Sequence, residues 1–257
     1  MGTIFTKELH ECYSKWCNSR QGKAVESSLE SLILSLMDVR PGLRVLDIGC
    51  GAGNHLLLLN RMGLDISGVD VSAFMIGQAR NRLGPHCILK TCDAEDLPFE
   101  DNEFDMVFMI NTLEFVKDPL QVLKEAGRVA SRQVFIGVFN GFSLSALSNK
   151  IQGLFGNSMF KKARFFSLWN LKALVKDAYG NVPIMWKCIL VYPGFLERLG
   201  LLSETCSMSG APFGTFIGMS ATMLYTMRAI TMPLKVNLEE MGQSVTHTSL
   251  GSSSRTS

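Results

Sequence analysis

Three glycines alternate along the chain directly after a short apolar run. Gly49, Gly51 and Gly53 follow residues 45–48, which read Val, Leu, Asp and Ile. Glycine at such positions lets the backbone approach a bound molecule without obstruction by a Cβ atom. The acidic residue of the run is Asp47, and its carboxylate would attract a cationic amino group. The spacing therefore predicts a binding loop for a small molecule that carries a positive charge.

An acidic residue also ends the next apolar run. Asp70 follows residues 66–69, where a carboxylate can accept hydrogen bonds from both hydroxyls of a ribose. The alternative is that Asp70 caps the helix after it, although Ser72 is at least as good a capping residue. We therefore expect Asp70 to bind a ribose.

The glycine spacing differs from that of nicotinamide-binding proteins. Those proteins normally carry G-x-G-x-x-G, so that a pyrophosphate can lie at the N-terminus of a helix. Here Asn54, His55 and Leu56 follow Gly53, so the third glycine of that pattern is missing. A carboxylate at Asp47 would also repel a pyrophosphate. An NAD-dependent oxidoreductase is therefore the less favoured alternative.

The segments that must position these residues alternate between strand and helix patterns from residue 44 onward. Predicted strands are 45–48, 66–70, 87–91, 104–110, 134–139, 184–192 and 216–226, and predicted helices are 54–62, 72–83, 118–129 and 169–179. This order predicts an α/β fold with a Rossmann-like, doubly wound sheet of seven strands in three layers, α/β/α.

The length of the chain favours a single domain, which we place at residues 1–238. Residues 1–40 form a predicted helical N-terminal cap, and residues 141–166 form a predicted insertion that caps the site. The tail, residues 239–257, is polar and rich in serine and threonine, so we expect it to be disordered.

Composition excludes several classes of protein. Lysine and arginine total 25 against 23 acidic residues, so there is no electrostatic case for a nucleic-acid partner. The seven cysteines are odd in number and form no C-x-x-C pair, which argues against a disulfide framework and a metal site and predicts a cytoplasmic protein. The uncharged run 211–227 is too short and polar for a membrane span.

The segment 45–53 resembles the first motif of the class I methyltransferases that depend on S-adenosyl-L-methionine (SAM). The resemblance covers roughly residues 5–180, and Tyr13, Trp16 and Gly22 resemble the lid of the type 11 small-molecule branch. It implies SAM as cofactor, an antiparallel last strand, and contacts of Asp93 and Ala94 with adenine. The expected cofactor-binding residues are Asp47, Gly49, Cys50, Gly51, Gly53, Asp70, Val71, Asp93, Ala94, Asn111, Tyr13 and Trp16.

Two residues are candidates for catalysis, Glu114 and Tyr13. Many relatives carry a histidine pair where this chain has Glu114 and Phe115, so a histidine base cannot be transferred from the family. The alternative for Glu114 is a solvated carboxylate at the entry of a helix. His55 is interpreted as a surface or capping residue. In addition, residues 131–133 read Ser-Arg-Gln where relatives have a proline-glycine-glycine turn.

The methyl acceptor is predicted to be a small molecule. Nucleic-acid amino methylation would require N-P-P-[YF] or D-P-P-[YF] after the fourth strand, and residues 111–114 read Asn-Thr-Leu-Glu instead. Quinone-like, lipid-like and other biosynthetic acceptors stay open because the insertion is aromatic and apolar. A noncatalytic SAM-binding accessory protein is the alternative function. The sequence does not determine the oligomeric state.

Overall fold

The apolar runs form most of the strands of a central sheet. The strands are β1 Arg44–Ile48, β2 Asp65–Asp70, β3 Ile88–Thr91, β4 Phe104–Ile110, β5 Ala130–Phe139, β6 Ile184–Val191, β7 Cys206–Ser209 and β8 Phe216–Thr222. Their order in the sheet is β3-β2-β1-β4-β5-β8-β6-β7. Strands β1 to β5 are parallel, and β8 runs antiparallel to both β5 and β6. The doubly wound fold and its antiparallel last strand are confirmed.

The structure, a computed structural model, describes residues 11, 13–15, 17–142, 163–191 and 206–223. These residues lie in one compact unit, Met1–Leu224. Three predicted features fall outside the described residues: Trp16, the greater part of the insertion at 141–166, and the tail at 239–257. Within the described part, no helix has the length and apolar character needed to cross a membrane.

One strand exceeds the predicted seven. Strand β7 has only four residues, Cys-Ser-Met-Ser, and pairs antiparallel with β6 at the edge of the sheet. Three of the four residues are partly exposed and one is exposed, so the segment lacks the apolar run by which the other strands were found. Short strands of this kind are common at sheet edges.

Four of the five described α-helices begin at a capping side chain, and the helix after the glycine loop begins at Gly53 without one. Ser72 Oγ accepts from the Met75 backbone N–H at 3.4 Å, and Asp118 Oδ1 accepts from Leu120 and Gln121. Because Ser72 is the capping residue, the alternative interpretation of Asp70 as the cap is wrong. The helices are α1 Arg20–Leu36, α2 Asn54–Arg61, α3 Ala73–Leu83, α4 Pro119–Val129 and α5 Leu168–Tyr179, with a 3₁₀ turn at Gly84–His86.

Alternating side chains of the strands divide the core into two layers. Along β4, Met106, Phe108 and Ile110 pack on the face covered by α1, α2 and α3, whereas Val107 and Met109 pack on the face covered by α4 and α5. All five side chains are buried. This two-sided burial explains why the strands are apolar without alternation and confirms the three-layer arrangement.

Helix α1, part of the predicted N-terminal cap, belongs to one of these layers. Leu29, Leu32 and Ile33 are almost completely buried. A Cβ atom at Gly218 of β8 would lie 2.6 Å from Leu32 Cδ2, so glycine at this position lets the helix approach the sheet closely. The helix is therefore fixed to the sheet beside the ends of β4 and β8.

The Ser-Arg-Gln segment at 131–133 extends a strand instead of forming a turn. Strand β5 begins at Ala130, four residues before its predicted start, and its pairing with β4 shifts register at this point. Gln133 Oε1 accepts from the Asp38 backbone N–H at 3.0 Å. The departure from the family pattern thus changes the amino end of β5, which is remote from the carboxyl ends of the parallel strands.

Gly68 of β2 gives a test of how closely the glycine loop lies against the sheet. An added Cβ atom would lie 2.7 Å from Leu56 Cδ1 and 2.9 Å from Cys50 Sγ, and both neighbours are buried. We expect Gly68→Ala to lower the free energy of unfolding by about 1–3 kcal/mol through overpacking, measured by urea denaturation.

Gly77→Ala is the matched control. Gly77 lies within α3 and has no atom within 4 Å of an added Cβ. Alanine favours a helix over glycine by about 0.5–1 kcal/mol, so this variant should be more stable than the wild type. A Gly68→Ala protein as stable as the wild type would show that the loop does not pack as described.

Candidate functional site

A cavity that is open to solvent lies where β1 and β4 run side by side, at their carboxyl ends. This is the point at which the strand order reverses, and open α/β sheets bind ligands there. We name it the loop cavity. Its lining residues are Tyr13, Gly49, Cys50, Gly51, Ala52, Asn54, His55, Asp70, Met75, Ile110 and Asn111.

The glycine loop forms one wall because its backbone is left-handed at three positions. Gly49, Gly51 and Gly53 have φ values of +74°, +54° and +81°. A Cβ atom at Gly49 would lie 2.6 Å from the side chain of Thr112, whereas a Cβ atom at Gly51 would meet nothing within 4 Å. Glycine is thus required at 49 by packing, while at 51 it leaves open space beside the backbone.

Asp70 holds this loop to the end of β2. Its Oδ2 accepts from the Gly51 backbone N–H at 3.0 Å, and its Oδ1 accepts from the Ser72 N–H at 2.8 Å. Burial raises the pKa of the Asp70 carboxyl, and the two backbone hydrogen bonds oppose that rise. A carboxylate has about four acceptor positions, so two bonds leave capacity for hydroxyl donors in the cavity.

Asp47 lies fully buried in β1, and neither of its carboxylate oxygens has a hydrogen-bond partner among the described residues. Burial, followed by the nearby charge of Asp70, raises the pKa of Asp47 well above its ordinary value. Asp47 is not among the residues that line the loop cavity. In this geometry Asp47 therefore does not contact the loop cavity directly.

Asn111 is a second residue with a buried oxygen that lacks a hydrogen-bond donor, and it lines the loop cavity. Its backbone is left-handed at φ +56°, and its N–H donates to Gly137 O at 2.9 Å. Its Nδ2 donates to Tyr13 Oη at 3.3 Å, whereas Oδ1 is buried without a partner among the described residues. A buried amide oxygen without a donor is costly, so this atom points to a ligand with N–H or O–H groups.

The other predicted cofactor residues continue along the same edge of the sheet. The Cys92 N–H donates to Asp70 O at 3.2 Å, which places Asp93 and Ala94 beside the end of β2. Val71 is 38% exposed there. These three residues are outside the lining of the loop cavity.

The segment that follows Asp93 is held by α4. Arg128 donates to Leu97 O at 2.9 Å and to Phe99 O at 2.7 Å, and Glu125 Oε2 accepts from the Leu97 N–H at 2.9 Å. The hydrogen bonds of Arg128 to Glu125 lower the pKa of that carboxyl. The backbone of the segment after Asp93 is therefore held in one conformation by hydrogen bonds to α4.

Glu114 is not a solvated carboxylate, and that alternative is wrong. The side chain is 2% exposed, and Oε1 accepts from the Phe139 backbone N–H at 2.8 Å. Burial raises the pKa of Glu114 to about 8. Its backbone oxygen accepts from the Arg164 N–H at 2.8 Å. Glu114 does not line either cavity described here, so the geometry gives its predicted catalytic role no direct contact with a ligand.

A smaller pocket, partly open to solvent, adjoins the loop cavity beside α1, and we name it the α1 cavity. The two cavities share four residues, Tyr13, His55, Ile110 and Asn111. The remaining lining residues of the α1 cavity are Cys17, Gly22, Val25, Glu26, Leu29 and Phe216.

His55 is the principal site residue that the sequence interpretation missed. It was expected to be a surface or capping residue, but it is half-buried in α2 and lines both cavities. Desolvation lowers its pKa to about 4, so the imidazole is uncharged at neutral pH. Its position in the first turn after the glycine loop was the only available signal.

Comparisons with known proteins agree with this geometry. The family described as "Methyltransferase domain" matches residues 46–136. Sterol methyltransferase-like 3 of Botryococcus braunii is 29% identical over 136 residues, which are 51% of this chain and 34% of that protein. An uncharacterized protein of Methanocaldococcus jannaschii is 33% identical over 179 residues, which are 68% of this chain and 79% of that protein.

A solved structure extends the likeness to almost the whole described fold. A SAM-dependent methyltransferase of Thermotoga maritima superimposes with a TM-score of 0.69 at 25% identity, covering 84% of this chain and 97% of that protein. By contrast, the chain spans only about a third of the length of the sterol methyltransferases that it matches.

Glu114 gives a test of buried charge. Its folded-state pKa is raised from 4.5 to about 8, so between these values the folded protein holds a proton that the unfolded chain has lost. Stability should therefore fall as pH rises through this window, by about 1.4 kcal/mol per pH unit. Glu114→Gln removes this loss. We expect the free energy of unfolding of the variant, relative to wild type, to rise from pH 5 to pH 8 in urea denaturation.

Glu100→Gln makes the same chemical change on an exposed side chain and serves as the control. For each variant, the free energy of unfolding relative to the wild type is compared between pH 5 and pH 8. If this difference changed as little with pH for Glu114→Gln as for Glu100→Gln, the Glu114 carboxyl would not be buried as described.

Proposed function

We propose that this chain, which belongs to the class I SAM-dependent methyltransferase family, transfers the methyl group of SAM to a small-molecule acceptor. One observation carries the proposal: the left-handed glycine loop, the braced Asp70 and the unsatisfied Asn111 oxygen all border one cavity at the switch point of the sheet. A cytoplasmic location stays a prediction from the cysteine content.

The residues of the loop cavity fit the ribose and methionine parts of SAM. Asp70 has acceptor capacity for ribose hydroxyls beyond its two backbone bonds. Asn111 Oδ1 lacks a donor, and the ammonium group of a methionine would supply one. A cation nearby would also favour the charged form of Asp47, whose carboxylate oxygens lack donors among the described residues.

Adenine would lie beyond the ribose, toward β3. Asp93 and Ala94 follow β3 at the same edge of the sheet as Asp70. Because Arg128 and Glu125 fix the next residues by backbone hydrogen bonds, a ligand would not have to order this segment on binding. Such preorganisation lowers the entropic cost of binding.

SAM supplies an electrophilic methyl group on a sulfonium sulfur, and the protein has to align an acceptor with it. Alignment alone can contribute several kcal/mol to the rate of a displacement reaction. The α1 cavity adjoins the methionine end of the proposed cofactor position through Tyr13, Ile110 and Asn111. We therefore assign the acceptor to the α1 cavity.

Asp70→Asn tests the cofactor assignment. The substitution removes the charge and replaces one acceptor oxygen by an N–H donor opposite a backbone N–H. Since hydrogen bonds to charged groups contribute about 1.5–3 kcal/mol, we expect SAM affinity to fall by about 10- to 100-fold in calorimetric titration. S-adenosylhomocysteine (SAH) should show the same loss, and NADH should not bind either protein.

Asp65→Asn is the matched control, because Asp65 is an exposed residue at the opposite end of the same strand. Its SAM affinity should equal that of the wild type. Unchanged SAM affinity in Asp70→Asn would remove the ribose assignment, and NADH binding without SAM binding would overturn the proposed function.

A further inference from the structure

We propose that the α1 cavity accepts an uncharged apolar molecule whose hydroxyl group donates a hydrogen bond to His55. This inference rests on the proposed function, because it takes the loop cavity as the SAM site. It adds the chemical class of the acceptor and one residue that determines specificity.

The position of His55 gives the first argument. It is one of four residues common to both cavities. It also belongs to the first turn of α2, directly after the glycine loop. A group hydrogen-bonded to His55 would therefore lie where the two cavities meet, which is where an acceptor atom must face the methyl group.

The charge of His55 gives the second argument. Desolvation is the cause of its lowered pKa of about 4, and no carboxylate opposes it. A neutral imidazole has one ring nitrogen that accepts a hydrogen bond. An imidazolium, by contrast, would repel the sulfonium of SAM. His55 is thus suited to hold a neutral hydroxyl beside that cation.

The walls of the α1 cavity give the third argument. Val25, Leu29 and Phe216 contribute apolar side chains that are 4% exposed or less. Cys17 adds a thiol whose pKa burial raises to about 11, so it is uncharged. These surroundings favour a ring or hydrocarbon body over a charged one.

Glu26 is the lining residue that could favour a cationic acceptor instead. Its side chain is exposed, and the positive charge of Arg82 acts on it. Solvent exposure and the charge of Arg82 both weaken the attraction of Glu26 for a second cation. The hydroxyl class is therefore the better fit.

Three probes of similar size distinguish these chemistries: para-fluorophenol, para-fluorotoluene and para-fluorobenzylamine. Their binding to the full chain can be followed by fluorine NMR in the presence of saturating SAH. We expect the phenol to bind the wild type more tightly than the toluene or the amine. Tighter binding of the amine, lost in Glu26→Gln, would overturn the proposal, as would equal binding of phenol and toluene.

His55→Phe should weaken phenol binding by about fivefold, the equivalent of one hydrogen bond of about 1 kcal/mol, and change toluene binding less than twofold. His55→Gln, which keeps an acceptor atom, should retain phenol affinity within about twofold. Asn60→Phe is the control, since Asn60 is exposed on the same helix. An equal loss of phenol and toluene in His55→Phe would show that His55 only shapes the cavity.

Calorimetric titration with SAH distinguishes a failure of the proposed function from a failure of the acceptor assignment. The wild type and the Glu26→Gln and Asn60→Phe variants should bind SAH equally, which shows that the fold and the cofactor site are intact. His55 also lines the loop cavity, so the His55 variants are compared at SAH concentrations that saturate each of them. A wild type that does not bind SAH contradicts the proposed function. A wild type that binds SAH but not para-fluorophenol contradicts only the acceptor assignment.

Discussion

The hydrogen bonds of one carboxylate organise the site. Asp70 joins three segments by accepting from Gly51 in the loop after β1 and from Ser72 at the start of α3. Gly51 lines the loop cavity, and its left-handed backbone does not donate to a regular strand ladder, so Asp70 satisfies an N–H group that the sheet cannot. The shape of the loop and the start of α3 therefore depend on the same side chain that is proposed to bind ribose.

The second support of the loop comes from β4. Thr112 Oγ1 donates to Ile48 O at 2.7 Å, and its side chain occupies the space that a Cβ atom at Gly49 would need. The adjacent residue, Asn111, is left-handed and binds Tyr13. The hydrogen bond of Thr112 thus joins the ends of β1 and β4, and the hydrogen bond of Asn111 joins them to Tyr13, in the segment before α1. One short stretch of chain links the cofactor wall to the proposed acceptor wall.

Much of the fold could be predicted from the sequence because its strands are apolar and its helices have good caps. The strands β4 and β6 and the helices α3 and α5 were placed within about one residue of their observed bounds. Strand β7 could not be predicted, since it has only four residues, Cys-Ser-Met-Ser, and contains no continuous apolar run. The early start of β5 was missed because residues 131–133 are polar and stand where relatives have a turn, and the strand start depends on pairing with β4 and β8.

For the site, local spacing predicted Asp70 and the glycines, because these act through backbone geometry that the sequence determines nearby. The position of Glu114 could not be predicted in this way. Its burial depends on Phe139 and Arg164, which are distant in sequence. His55 was missed for the same reason, because its position becomes part of a cavity wall only when Tyr13, the end of β4, α1 and the start of β8 come together around it.

The α1 cavity is built from core residues, and this limits how its specificity can change. Leu29 and Phe216 belong to the buried cluster on one face of the sheet and also line the cavity. Enlarging the cavity by truncating either side chain would remove packing from the core, at a typical cost of 2–5 kcal/mol. A natural domain has only about 5–15 kcal/mol of total stability. Substitutions at the cavity edge, such as at Cys17 and Glu26, would therefore change the accepted molecule at less cost in stability than substitutions at its floor. Evolution or engineering of this protein would be confined to that edge unless the core were stabilised first.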